Sequence, residues 1–287
     1  MTFYETLKNN SNERYIGVLK LLLKFRSEIA WEDLNKSLML EFKEFILKKA
    51  LKKDGKHYNP NYFKFCYSCI KTVVRNERPE LLSKIVGMKI PKQPTENIYL
   101  SQEELKKIEA VSLNCFQNIV RVRFLIGAYT GARYSDYKNI SFDNIQNGSL
   151  KYMAQKTSKI ITVPLCSYVA ERLKIGIPEL DFDKDNSELK YFNDTIKEIC
   201  LKAGINSKDI YFKKDGDNVV KKVLPKWAKV SSHTARRSFA TNLALEGVNL
   251  RYIQGLLGHS SVVTTENYVL CDTKNFEEMY KGLEYFK

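Results

Sequence analysis

Residues 257–268 read Leu-Gly-His-Ser-Ser-Val-Val-Thr-Thr-Glu-Asn-Tyr, and they decide how the back half of this chain is interpreted. Gly258 is expected to end a helix in a left-handed cap. His259 then lies at the turn that follows. The next residues predict a short helix over about 260–268 that carries Tyr268. The stretch therefore presents a histidine and a tyrosine close together at the end of two helices.

Two earlier stretches complete the pattern. Residues 130–136 read Thr-Gly-Ala-Arg-Tyr-Ser-Asp, and residues 233–236 read His-Thr-Ala-Arg. In the first, Gly131 can supply the turn that presents Arg133 at a helix start. In the second, the histidine and the arginine lie one helical turn apart on the same face. Arg237 is left out, because its direction differs from that of its neighbour by about 100°.

These residue types together suit attack on a phosphodiester. Arginine offers forked donors to two phosphate oxygens, and tyrosine can be a covalent nucleophile. Lysine and histidine can move protons or donate to the phosphate. Because the cations are side chains, neither a metal nor a cofactor is expected. The predicted catalytic set is Arg133, Lys156, His233, Arg236, His259 and Tyr268.

The order of these residues resembles the tyrosine recombinase (phage integrase) family, over roughly residues 100–270 by motif and more loosely over 1–95. The resemblance implies that the two arginines bind the scissile phosphate and that His259 donates to it from the opposite side. It also implies a 3′-phosphotyrosyl intermediate at Tyr268. The residue sequences of the motifs resemble those of integrases of Bacteroidetes elements more than those of chromosome-dimer resolvases. The chain begins directly in core-binding helices, so an arm-binding domain is expected to be lacking.

Two lysines are candidates for the lysine of the set. Lys156 lies between two β-prone runs, 150–155 and 159–165, and the resemblance assigns such a lysine to protonation of the 5′-oxygen leaving group. Lys159 competes for this role. Lys156 is favoured, because Gln-Lys-Thr ahead of a Val-Pro-Leu strand matches the family pattern better.

Charge points to a polyanionic partner. The 287 residues carry a formal net charge of +14, and residues 1–95 hold 19 Lys and Arg against 10 Asp and Glu. Such a balance favours nucleic acid first and an anionic membrane second. No run of about 18 apolar residues and no signal peptide is found, so a cytoplasmic protein is expected.

The expected fold is mainly α with a small antiparallel β-sheet. Apolar periodicity predicts front helices over 13–25 and 38–51, one from 60 onward, and a weaker one over 79–86. A capping box at Ser101 and Glu104 opens the next part, followed by a buried helix, the β region and a return to helix. These later elements are expected at 115–130, 141–165, 166–174, 187–203, 233–246 and 249–257.

The resemblance implies how these elements are grouped into domains. It implies a helical, SAM-like core-binding bundle over 1–90, a linker over 91–99 and a catalytic domain over 100–270, which together close on DNA as a clamp. The tail, 271–287, predicts an amphipathic helix that docks on a neighbouring subunit or packs on its own domain. Implied partners are double-stranded DNA, a second protomer on each core site, a tetramer in synapsis, and an accessory directionality or DNA-bending protein.

Other signals are weaker. Cys66 and Cys69 form half a zinc site at best and fit core packing better. Asp181, Asp183 and Asp185 imitate the start of a calcium loop but lack its later ligands. Two rival functions remain, namely a type IB topoisomerase-like enzyme that relaxes DNA and a catalytically silent DNA-binding regulator.

Overall fold

The computed structural model divides into two compact units. The first comprises residues 1–96 with 210–222, and the second comprises 97–209 with 223–287. None of the described helices is both long enough and apolar enough to cross a membrane. The predicted tail helix at 271–287 and the calcium-like aspartates at 181–185 lie outside the described residues. The structure describes residues 2–10, 12–52, 55–90, 97–179, 188–215 and 218–270.

Three helices of the first unit begin at asparagine caps. Asn12, Asn35 and Asn59 each accept a backbone N–H of the first turn that follows, which satisfies a donor that the helix cannot. The predicted first and third helices begin where expected, and the second runs slightly earlier than predicted. The described helices are α1 (Phe3–Lys8), α2 (Glu13–Phe25), α3 (Lys36–Lys48), α4 (Pro60–Glu77) and α5 (Leu82–Ile85).

The short helix α1 was not predicted, and tertiary packing explains it. Six residues are too few for a stable helix in isolation. Here Phe3 and Leu7 are fully buried, and the Phe3 ring meets Trp31 edge-on with 5.2 Å between centroids. Each such burial contributes roughly 1.5–3 kcal/mol. Contacts with the rest of the bundle therefore hold α1 in place.

The second unit confirms the predicted fold class. Strands β1, β2 and β3 form an antiparallel sheet in that order, with Leu150 opposite Val163 on the buried face. The described elements after residue 97 are α6 (Gln102–Ala110), α7 (Cys115–Thr130), α8 (Tyr134–Tyr137), β1 (Ile145–Gln146), β2 (Ser149–Met153), β3 (Ile160–Pro164), α9 (Ser167–Ile175), α10 (Glu188–Lys202), β4 (Lys208–Asp215), β5 (Asn218–Pro225), α11 (Ser232–Leu245), α12 (Leu250–Leu257) and α13 (Val262–Glu266). Most of β4 and β5 belongs to the first unit.

The sequence predictions left the region between α10 and α11 without an element. There, β4 and β5 pair as a two-stranded sheet. The dipeptide Asp215-Gly216 between two β-prone runs is a hairpin signal, so this element was readable from the sequence. By contrast, helix α7 was predicted with its observed bounds, 115–130.

Two glycines allow α7 to pack closely. A Cβ at Gly127 would lie 2.6 Å from the Tyr137 ring and 3.3 Å from Ala235 of α11. Gly131 caps α7 with a left-handed backbone, φ +68°, and a Cβ there would lie 2.5 Å from the Phe239 ring. Both the backbone conformation and the space therefore require glycine at 131.

Replacing Gly131 by alanine should lower the free energy of unfolding by about 2–4 kcal/mol, because strain of the left-handed backbone adds to overpacking against Phe239. Gly148 is a matched control, since its φ is +73° but nothing lies within 4 Å of its added Cβ. Its alanine variant should lose only about 1–2 kcal/mol. Equal losses in chemical denaturation would contradict a packing role for Gly131.

Candidate active site

Arg236 lies at the centre of the candidate site, on the first half of α11. Its side chain is almost fully buried, with 1% exposed. Nη1 donates to the carbonyl oxygen of Gly131 at 2.5 Å, and Nη2 donates to that of Leu257 at 2.5 Å. These carbonyls are at the C-terminal ends of α7 and α12, where helix dipoles favour a cation. The Arg236 guanidinium therefore joins the C-terminal ends of α7 and α12 to helix α11.

The positive charge of Arg236 is not neutralised by an ion pair with any described carboxylate. Its Nε is buried without a hydrogen-bond partner. Burial, and then the like charge of Arg133, lower the pKa of Arg236 to about 10. Since a buried cation is stable only with compensating partners, this centre favours binding of an anion.

Tyr268 lies beside this centre, just after α13. Its hydroxyl is 2.7 Å from Nε2 of His233, and the guanidinium carbon of Arg236 lies 5.6 Å from the centre of its ring. Burial, followed by the charge of Arg237, lowers the pKa of His233 to about 4. His233 is therefore neutral near pH 7, and Nε2 can accept the tyrosine proton.

His259 supports Arg236 from the other side. It follows Gly258, the left-handed cap of α12, and 7% of it is exposed. Nε2 lies 2.9 Å from Nη2 of Arg236, and Nδ1 lies 3.0 Å from the hydroxyl oxygen of Thr265. Because arginine only donates, Nε2 accepts and Nδ1–H donates. In this state the ring has no second N–H to offer a phosphate.

Arg133 lies directly before α8, half-buried. Its guanidinium makes no hydrogen bond or ion pair with another described residue. Its charge nevertheless contributes to the lowered pKa values of Arg236, His233 and His259. It is thus a second unpaired cation near the first, free to turn towards an anion.

Lys156 is exposed in the turn between β2 and β3, a turn that holds Ser158 at φ +51°. Its charge contributes to the lowered pKa of His233, whereas that of Lys159 contributes to the lowered pKa of His259. The structure therefore brings all six predicted residues to one place, and both lysines lie at its edge.

Asp136, the last residue of the motif at 130–136, has a structural contact. It forms no ion pair with Arg133. Instead, it is buried, and Oδ1 accepts the backbone N–H of Gln155 at 2.9 Å. Asp136 therefore fastens the turn that carries Lys156 to helix α8.

Arg237 was set aside from the sequence because its Cβ direction differs from that of Arg236. The structure shows it half-buried, and its charge ranks directly after burial among the causes of the low pKa of His233. A helical-wheel argument separates directions, but charge acts beyond hydrogen-bond distance. The presence of two adjacent arginines in the sequence, Arg236 and Arg237, was therefore the signal that a further cation acts on His233.

Similarity to known proteins extends through the part of the chain that carries this site. Residues 99–274 match the model of the phage integrase family. The chain belongs to that family. Its sequence is 30% identical to tyrosine recombinase XerA of Pyrococcus horikoshii over 200 residues, or 68% of this chain and 64% of that protein. It thus spans slightly under two thirds of that relative's length.

Two further known proteins are similar to this phage integrase family member over most of its length. A tyrosine recombinase of Pseudothermotoga lettingae is 25% identical over 296 residues, covering 97% of this chain and 93% of that protein. A lambda integrase dimer bound to a COC′ core site superposes with a TM-score of 0.61 at 16% identity, covering 93% of this chain and 95% of that one. The two proteins therefore share a fold.

Both site histidines should titrate far below the ordinary value. Their folded pKa values are about 4 and their unfolded ones about 6.5, so the unfolded chain binds more protons between these pH values. The free energy of unfolding should then be at its full value above about pH 6.5 and fall as the pH drops towards 4. NMR resonances assigned with H233Q and H259Q should titrate near pH 4, and a midpoint near 6.5 for either ring would contradict this environment.

Proposed function

We propose that this chain is a site-specific DNA recombinase that cleaves and rejoins DNA through a 3′-phosphotyrosyl intermediate. The observation that carries the proposal is the placement of the Tyr268 hydroxyl, 2.7 Å from neutral His233 and beside the buried guanidinium of Arg236. The proton acceptor and the anion-binding cation therefore both lie beside the nucleophile. Membership of the phage integrase family supports the same chemistry.

In the cleavage step, the hydroxyl oxygen of Tyr268 attacks the scissile phosphorus while its proton passes to Nε2 of His233. The bond from phosphorus to the 5′-oxygen breaks, which leaves a 3′-phosphotyrosyl ester and a free 5′-hydroxyl. Arg133 and Arg236 hold the non-bridging oxygens, where negative charge grows in the transition state. Attack by a 5′-hydroxyl of another strand reverses the step, so strand exchange requires no ATP.

The remaining two residues act around the phosphate. Lys156 protonates the departing 5′-oxygen from its exposed turn. His259 keeps Arg236 in place through the 2.9 Å contact, and a bound phosphate anion raises its pKa towards protonation. Once protonated, Nε2 no longer accepts from Arg236, and its N–H donates to the phosphate instead, which is the role that the resemblance implied.

The first unit supplies non-specific affinity for duplex DNA. Residues 1–95 carry 19 Lys and Arg against 10 Asp and Glu, so phosphate contacts should dominate and binding should weaken steeply with salt. We place two protomers on each core site and four in the synapse. The lambda integrase structure of the same fold, a dimer bound to a core site, supports the first of these numbers.

A suicide duplex with a nick near the cleavage point should trap a covalent protein–DNA adduct that survives denaturant. The adduct should vanish in Tyr268→Phe, because the nucleophilic oxygen is removed, with DNA binding retained. Tyr252→Phe is a matched control, since this tyrosine of the same unit is 74% exposed on α12. Its adduct should form at the wild-type rate.

Failure of the wild-type protein to form an adduct on its own attachment site, with binding intact, would overturn the proposal in favour of a DNA-binding regulator. Exchange between two labelled sites would then distinguish a recombinase from a relaxing enzyme. A topoisomerase of this chemistry would relax supercoiled DNA but produce no exchanged strands.

Lys156→Ala should slow cleavage about 10²–10⁴-fold, the usual contribution of a general acid. A duplex with sulfur at the 5′-bridging position should restore the rate, because a thiolate leaves without a proton. Lys159→Ala should cleave both substrates like the wild type. The opposite pattern, with loss and sulfur rescue at Lys159, would move the acid to that lysine.

A further inference from the structure

Thr241 joins the nucleophile segment to the helix of the site. It is fully buried on α11, two turns beyond His233. Its hydroxyl donates to the carbonyl oxygen of Tyr268 at 3.2 Å and accepts the backbone N–H of Leu270 at 3.1 Å. One side chain thus supplies both a donor and an acceptor to the backbone on either side of Val269.

Thr265 holds the same segment from the opposite direction. It is also fully buried, and its hydroxyl oxygen lies 3.0 Å from Nδ1 of His259. Its carbonyl oxygen accepts the backbone N–H of Tyr268 at 2.8 Å. The peptide N–H and carbonyl of Tyr268 are therefore both occupied, one through each threonine.

Regular secondary structure alone would not fix the nucleophile. Helix α13 has five residues, too few to be stable in isolation, and Tyr268 follows its end. Yet the phenol must stay aligned with Nε2 of His233 at 2.7 Å. Buried side-chain hydrogen bonds specify such a position, because breaking one leaves a polar group without a partner.

We propose that Thr241 and Thr265 form a threonine latch that positions Tyr268 for attack, an inference that rests on the proposed function. Thr241 fixes the distance from the tyrosine backbone to α11, the helix that also carries His233 and Arg236. Thr265 accepts the Nδ1–H of His259 and ties the ring to the same turn. Both are positioning residues, since neither contacts the reacting atoms.

The first test removes the hydroxyl of Thr241 and keeps its shape. In Thr241→Val, single-turnover adduct formation on the nicked duplex should slow on the order of 10²-fold, as for misplaced reacting groups, at unchanged DNA affinity. Thr241→Ser should recover most of the rate, because it retains the hydroxyl. Thr195→Val is the matched control, a buried threonine of α10 that is 6% exposed, and should cleave like the wild type.

The second test reads the latch in the free protein, independently of cleavage. In Thr241→Val, the Leu270 amide should exchange faster and the Nε2 resonance of His233 should shift. In Thr265→Val, the Nδ1–H of His259 should lose its hydrogen-bond acceptor, so its proton resonance should shift and exchange faster with solvent, whereas Thr265→Ser should keep the wild-type signal. A purely structural role would move neither ring signal, since valine preserves the packing.

The latch is overturned if Thr241→Val cleaves at the wild-type rate, if Thr241→Ser is equally slow, or if both ring signals stay unchanged. Should the valine variant fail to fold, Thr241→Ala compared with Thr241→Ser asks the same question. Absence of an adduct in the wild type would instead count against the recombinase function. The NMR readout would then decide the latch alone.

Discussion

The second unit depends on one interaction, the burial of the Arg236 guanidinium between the C-terminal carbonyls of α7 and α12. Taking an ion out of water costs several kcal/mol even after relaxation. Two carbonyls, two helix dipoles and the His259 ring offset that cost. None of these partners carries a negative charge, so the guanidinium keeps its attraction for an anion. The contact that closes the fold therefore also creates the site.

The helix ends that receive Arg236 are glycine caps, and this links fold to chemistry. Gly131 and Gly258 both adopt left-handed backbones in spaces where a Cβ would collide with Phe239 or Ile161. After each cap the chain turns and presents a functional residue, Arg133 in one case and the histidine in the other. The glycine caps, the helix-end carbonyls and the cationic side chains are therefore structurally linked. A substitution at either cap glycine should displace the charged side chains beside it.

The electrostatic state of the site follows from burial and from the crowding of cations. Burial, followed by the charges of four cations of which Arg237 acts most strongly, lowers the pKa of His233, which leaves the neutral ring able to accept the proton of Tyr268. A phosphate anion reverses part of this balance, since negative charge favours protonated histidine. The same group can therefore act first as an acceptor and later, once charged, as a donor. Binding of the substrate phosphate and movement of the proton are therefore coupled through the electrostatic field of the charged groups. The proposed mechanism uses no metal.

The sequence by itself determined the family, the helical periodicity, the cap glycines and the six candidate residues, because these depend on local spacing and residue type. It missed the β4–β5 hairpin and the charge of Arg237, although Asp215-Gly216 and the two adjacent arginines signalled them. Only tertiary structure decided α1 and the contacts of Thr241 and Thr265. A six-residue helix gains stability from distant aromatics, and a threonine hydroxyl on α11 meets the tyrosine backbone 27 positions later in the chain. Such contacts arise from packing between elements, for which one-dimensional periodicity contains no signal.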